Sequence, residues 1–391
     1  MKIAYVCLDP GVPVFGMKGC SIHCQEVMRT FLKNGWEVNL FAKRLGKNIP
    51  QDLTSIRPQV IGSKLSKDPK TRELELIENN DLIKDLLSAS PNYDLVYERY
   101  SLFSYGAMDW ARSNNIPSIL EVNAPLIQEQ KKYRSLFAES LALKIRENCL
   151  LNADSIVAVS NEVRDVINIF RGSESKVTAI RNGVNVTRFR PRQDHKAKKD
   201  IVIGFVGTLK PWHGVSTLIE AFAQAKPLVE NLKLCIIGDG PEKERLIAQT
   251  SRLAPETNSA ITWEGAVDSV EVPQKLQGFD IAVAPYPALD HFYFSPLKIL
   301  EYMACGLPIV ASRIGQIKEL IIHEKSGLLV TPGSSEALKN AIVDLSRNKA
   351  KRDSLGSNAR SLAVEKHSWH QVVERILSTI SMDGAACESK P

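Results

Sequence analysis

Lys298 and Glu301 place a cation and a carboxylate three residues apart inside the run Ser295-Pro296-Leu297-Lys298-Ile299-Leu300-Glu301. Ser295 can cap a helix and Pro296 has its φ preset for the first helical position, which puts Lys298 in the first turn and predicts a buried face of Leu297, Leu300 and Ala304. A first-turn cation opposes the helix dipole at a cost of about 0.3–1 kcal/mol unless an anion neutralises it. One reading of the pair is a surface i,i+3 ion pair worth about 0.2–0.5 kcal/mol. The other is a nucleotide site, with diphosphate on the helix N-terminus and Lys298 and ribose hydroxyls on the Glu301 carboxylate. Gly204 through Gly214 reads as strand, loop and helix, with Ser216 or Thr217 as N-cap. It carries Lys210 and a second potential cation, His213, at the strand's C-terminal edge, where ligands bind in parallel sheets. A similar loop from Gly11 to His23 feeds a first helix, and Gly19 would let a ligand approach the main chain. Glu98 and Arg99 follow a third strand, either as ligand contacts or as a structural pair. Residues Glu129 to Arg134 read as a solvated helix face, and Trp212 and Trp263 as packing residues.

The elements that must hold these residues recur along the chain. Apolar runs at Ile3–Leu8, Val38–Ala42, Leu95–Tyr97, Ser118–Val122, Ser155–Val159 and Val177–Ile180 lack polar alternation, as strands buried on both faces do. In the first crossover Cys24, Val27, Met28 and Phe31 follow helical spacing, and Gly35 supplies the left-handed residue that ends it. The pattern restarts at Ile201–Val206, Leu232–Ile237, Ile261–Trp263, Ile281–Ala284, Ile309–Ala311 and Leu328–Val330. This predicts an α/β protein of two doubly wound, Rossmann-like parallel-sheet domains facing a central cleft. The expected domains are 1–190 and 191–367, with the C-terminal segment 368–391 completing the first. A length of 391 residues suits two domains, and 44% hydrophobic with 24% charged residues suits a folded chain.

The net charge of +6 has an address. Residues 1–180 carry 23 basic and 21 acidic side chains, residues 181–200 seven and two, and residues 201–391 carry 20 and 21. A basic connector of Arg181, Arg188, Arg190, Arg192, Lys196, Lys198 and Lys199 is expected, and no nucleic-acid partner, because no aromatic or Gly-rich interleaving accompanies it. Near-neutrality of residues 1–180 predicts no basic patch there and at most weak peripheral contact with a membrane. Seven cysteines without paired spacing fit reduced thiols, no apolar run reaches the length of a membrane span, and a cytoplasmic location is expected.

Several segments together carry a resemblance. They are the Gly loop with Ser21 and His23, Val157-Ala158-Val159-Ser160, Arg181-Asn182-Gly183-Val184-Asn185 followed by Phe189 and Pro191, the Gly207–Gly214 loop, Gly238-Asp239-Gly240, and Pro296 through Ser312. In this order, across nearly the whole chain, they resemble the family-four retaining glycosyltransferases of the GT-B fold. The resemblance implies a UDP- or GDP-linked sugar held mainly by the C-terminal domain, through Thr208, His213, Gly238, Ser295, Pro296, Leu297, Lys298 and Glu301, with Gly19 of the N-terminal domain beside it. It implies catalytic roles for Lys210, Lys298 and Asn123, and an acceptor (glycan, lipid-linked saccharide or small metabolite) met by Glu98, Arg99 and Asn123 of the N-terminal domain. Anomeric configuration would be retained, with no metal and no resident cofactor, in keeping with the absence of an Asp-x-Asp motif. Departures from the family pattern are Tyr293 where Glu is frequent, Thr208 for Arg, His213 for Lys, and Asn123 for His. An amide at Asn123 can hydrogen-bond a sugar hydroxyl but cannot serve as a general base. These departures leave a second reading, a catalytically silent nucleotide-sugar sensor or scaffold.

Overall fold

The computed structural model describes residues 1–391 except 91, 169–175, 194–198, 291, 293–294 and 381–391. The chain divides into one unit of residues 1–182 together with 372 onward, and a second of residues 183–371.

The first unit contains a parallel sheet built from β1 (Lys2–Cys7), β2 (Glu37–Ala42), β3 (Arg57–Val60), β4 (Leu95–Arg99), β5 (Ser118–Val122), β6 (Ser155–Ala158) and β7 (Val177–Ala179). Their order is β3-β2-β1-β4-β5-β6-β7. The crossovers carry α1 (Gly19–Lys33), α2 (Pro69–Ser88), α3 (Gly106–Ser113), α4 (Leu126–Tyr133), α5 (Glu139–Asn152) and α6 (Asn161–Ile167). Cys24, Val27, Met28 and Phe31 of α1 are all fully buried, and Gly35 at φ +77 turns the chain out of the helix. The six expected strands are present. The additional strand β3, Arg-Pro-Gln-Val, lies at the sheet edge and is largely exposed, so it has neither the apolar run nor the proline-free sequence of a buried strand.

The second unit has β8 (Ile201–Val206), β9 (Leu232–Ile237), β10 (Ile261–Gly265), β11 (Ile281–Ala284), β12 (Ile309–Ser312) and β13 (Leu328–Val330) in the order β10-β9-β8-β11-β12-β13, again parallel. Its helices are α7 (Val215–Ala225), α8 (Lys243–Thr250), α9 (Pro255–Asn258), α10 (Val272–Leu276), α11 (Leu297–Ala304), α12 (Ile317–Leu320), α13 (Ser335–Arg347) and α14 (Lys349–His367). The last helix, α15 (Trp369–Leu377), begins in this unit and passes to the first at Val372, where the Thr379 and Ser155 hydroxyls meet at 2.5 Å.

The unit boundary falls at Asn182, eight residues before the expected one. The physical reason lies in residues 183–190, whose Val184 and Phe189 are buried in the second unit's core, while Arg360 donates to the Val186 and Phe189 carbonyls. Two expected caps also differ. Gly214, not Ser216 or Thr217, caps α7 in a left-handed conformation (φ +68), and a Cβ there would stand 1.7 Å from the Pro285 carbonyl oxygen. Pro296 occupies the cap position of α11, and the Ser295 hydroxyl turns away to donate to Gln316 Oε1 at 2.9 Å.

Candidate active site

In each sheet the strand order reverses beside the first strand, between β1 and β4 and between β8 and β11, the point at which sheets of this kind open a ligand crevice between the following loops. In the second unit those loops are 207–214, after β8, and 285–296, which leads into α11. Helix α11 buries Ile299, Leu300, Tyr302, Met303 and Ala304, while Leu297, expected on this face, is half-buried. Tyr302 fixes its register, because the Val206 N–H donates to Tyr302 Oη at 2.9 Å.

One turn earlier on the same face stands Lys298. Its Nζ is buried and has no hydrogen-bond partner among the described residues. It lies 4.2 Å from the Phe205 ring centroid and 5.5 Å from that of Tyr286, and a Cβ on Gly207 (φ +146) would stand 2.7 Å from it. Burial pushes the Lys298 ammonium down to about 7, against the opposing pull of Glu301. Burial likewise pushes the Glu301 carboxyl up to about 7, opposed by Arg188 and then Lys298. Lys298 and Glu301 form no ion pair among the described residues, so the surface-pair reading does not hold. Among the described residues neither side chain has a salt-bridge partner, an arrangement that favours a ligand able to supply one.

The loop around them is built backbone against backbone. The Gly207 N–H donates to the Ile237 carbonyl at 3.0 Å, and the Leu209 N–H to that of Asp239 at 2.9 Å. A Cβ on Gly238 (φ +141) would meet the Gly207 carbonyl oxygen at 2.0 Å, so only glycine lets these loops approach. His213 is not the cation expected. Burial, with Lys298 and Lys210 nearby, lowers it to about 4, so it is neutral at physiological pH. Its Nδ1–H donates to the Thr208 carbonyl, which leaves Nε2 as an acceptor. Thr208 is exposed, and the Lys210 Nζ stands 5.5 Å from the ring centroid of Trp212. Trp212 is exposed rather than packed, whereas Trp263 packs against the core. Tyr293 lies outside the described residues.

In the first unit Gly19 is the exposed first residue of α1. Glu98 and Arg99 are not a pair, because neighbours on a strand point to opposite faces. Glu98 is wholly buried, accepts from the Ser104 hydroxyl at 2.5 Å, and is pushed up to about 7 by burial. It belongs to the interior and not to a strand mouth. Arg99 stands beside Glu121 on the α1 face. There His23 Nε2 meets Glu121 Oε1 at 2.7 Å; burial would raise the Glu121 carboxyl, but His23 and Arg99 hold it below its ordinary value. Asn123, half-buried just after β5, lies beside Glu121 and helps hold its carboxyl low.

Four contributors carried no local signal in sequence. Arg188, counted there as connector charge, acts on Glu301; Phe205 and Tyr286 supply the rings around Lys298; and Asn80 holds the loop after β4. Asn80 donates to the Phe103 carbonyl at 2.9 Å and accepts from the Tyr105 and Gly106 N–H groups at 2.7 and 2.8 Å. These bonds join residues more than 20 apart in sequence, which no short-range pattern reveals. Among the described residues no group of three or more His, Cys, Asp or Glu side chains is placed to hold a metal ion, and no helix is long and apolar enough to cross a membrane.

Two doubly wound parallel sheets, with chemistry gathered at strand C-termini, define the GT-B class of glycosyltransferase. Residues 17–188 match the family described as Glycosyltransferase Family 4, and residues 187–362 the one described as Glycosyl transferases group 1. The chain belongs to this glycosyltransferase family. It is 29% identical to an uncharacterized glycosyltransferase of Methanocaldococcus jannaschii over 57% of each chain. It is 24% identical to a D-inositol 3-phosphate glycosyltransferase of Salinispora tropica, over 92% of this chain and 80% of that one. It shares its fold with Anabaena HepE, solved in complex with UDP, at a TM-score of 0.71 and 21% identity over 97% of this chain and 99% of that one.

Proposed function

We propose that this glycosyltransferase takes a sugar from a UDP- or GDP-linked donor, held by the second unit, and transfers it with retention to a hydroxyl of an acceptor held by the first. On this reading it needs neither a metal nor a resident cofactor and acts in the cytoplasm. The observation that carries the proposal is Lys298 Nζ, a buried ammonium in the first turn of α11 with no hydrogen-bond partner among the described residues, against a glycine that leaves its approach open. The leaving diphosphate would meet this cation, the N–H groups of the α11 N-terminus and Lys210, which together neutralise the charge that develops as the glycosidic bond breaks. Glu301 would accept from the ribose hydroxyls, and His213 Nε2 from a donor-sugar hydroxyl. Asn123 would orient the acceptor, while a diphosphate oxygen on the same face takes the proton from the attacking hydroxyl. HepE, which shares the fold, was solved with UDP, and this supports a nucleoside diphosphate as the ligand.

The test is a thermal-shift screen of nucleotide sugars followed by turnover. A donor supplied at about 100 times its Kd adds about 2.7 kcal/mol of stability, enough for a readable shift. The bound donor, incubated with hydroxyl acceptors, should release nucleoside diphosphate, and the coupling constant of the product's anomeric proton should match that of the donor. Donor binding without release of diphosphate across the acceptors would favour the silent sensor, and an inverted anomer would refute retention.

A further inference from the structure

Near-neutrality of residues 1–180 predicts no charged patch, yet folding gathers one. A groove of about 700 Å³ runs over the carboxyl ends of the first unit's strands, at the β1/β4 switch point. Loops after β1, β2, β3, β4 and β5 all reach it, and its size suits a small-molecule ligand. Its floor is apolar, with Leu76, Leu102, Phe103 and Leu126. Phe103 holds a left-handed backbone (φ +68), rare for a large side chain, and Asn80 secures its carbonyl.

The wall is basic, because Lys43, Arg44, Lys64, Lys67, Arg72 and Arg134 outnumber Asp9, Glu73 and Glu129. Arg44, Lys64, Lys67 and Arg72 line the groove, and their side chains make no hydrogen bond or ion pair among the described residues. Glu73, on the same wall, is occupied by the Phe137 and Ala138 N–H groups at 2.8 to 3.2 Å, and Asp9 by the Gly11 N–H at 2.7 Å. Glu75 accepts from the Ser66 N–H at 2.6 Å, and the buried Lys43 ammonium donates to the Ile61 and Ser63 carbonyls at 2.9 and 3.0 Å, so the loop that presents Lys64 and Lys67 is tied down. Two guanidinium forks and two ammonium groups around one groove suit a phosphate, whose oxygens accept from both.

We propose that this groove receives the acceptor and that the acceptor carries a phosphate group. The proposal rests on the transferase reading above and adds the acceptor's chemical class. It is tested by titrating the full-length protein with inorganic phosphate, glucose 6-phosphate and glycerol 3-phosphate beside neutral glucose and glycerol. A parallel arm uses phosphatidylglycerol–phosphatidylcholine vesicles beside vesicles of phosphatidylcholine alone. Phosphate-bearing probes should bind more tightly than their neutral counterparts, and the binding should weaken as salt rises. The Lys64→Glu/Arg72→Glu variant should lose about ten-fold or more in affinity, whereas Lys144→Glu, on an exposed position outside the groove, should not. Binding of the soluble probes assigns a free phosphorylated acceptor, and binding of the anionic vesicles alone assigns a lipid headgroup. Equal affinity for phosphorylated and neutral probes in both arms, or wild-type affinity in the double variant, overturns the proposal. UDP and GDP binding is measured on the same proteins. Its loss in all of them would refute the donor site, while the phosphate titrations decide the groove separately.

Discussion

Lys298 and Glu301 together give the site a definite pH signature. With Lys298 at about 7 in the native state and 10.5 as its ordinary value, the unfolded chain holds a proton between those values that the native state lacks, so stability rises with pH across that window. Glu301 acts in the opposite sense from 4.5 to about 7, where the native state holds the extra proton and stability falls as pH rises. The site therefore destabilises the ligand-free protein most near pH 7. Lys298→Met should raise its Tm by about 2–4 °C for each kcal/mol of burial penalty removed, while nucleotide binding is lost; calorimetric melts with and without UDP or GDP would show both. An unchanged Tm together with intact nucleotide binding would mean that the ammonium is neither strained nor used.

At the scale of elements, one of the hydrogen bonds that hold α11 can be removed without changing shape. Tyr302→Phe leaves the Val206 N–H unsatisfied in the core and should cost about 1–3 kcal/mol in urea unfolding, with weaker donor binding as Lys298 shifts. Gly238→Ala should impair the donor site more than its size suggests, because its methyl group meets the Gly207 carbonyl, and a several-fold rise in donor Kd would report the displaced loop. Much of this level was legible in the sequence. Uninterrupted apolar runs at β1 and β11 can be little else than buried parallel strands, and helical spacing in α1 predicts its buried face. What escaped was set by tertiary contact. The edge strand β3 is polar, α7 is capped by a glycine because Pro285 crowds that position, and Ser295 serves Gln316 instead of its own helix.

For the whole molecule, the two units carry separate halves of the proposed chemistry, and each half was visible to a different degree. Lys298 and Glu301 were legible because residue type, spacing and helix position together set out one conflict, a cation on the wrong end of a helix. The basic groove was not, because Arg44, Lys64, Lys67 and Arg72 are cancelled in a segment sum by acids that folding places mostly elsewhere. Hydrogen exchange should separate the halves, with nucleotide protecting residues 205–214 and 295–303 and a phosphorylated acceptor protecting residues 63–72. The most direct test of the central claim is a calorimetric titration of UDP and GDP into the wild-type protein and Lys298→Met at about pH 6 and about pH 9, on either side of the shifted lysine. The account predicts that the wild type binds one of them at the lower pH and loses affinity at the higher, and that the variant binds neither tightly. Equal affinity in both proteins, unchanged between the two pH values, would contradict it.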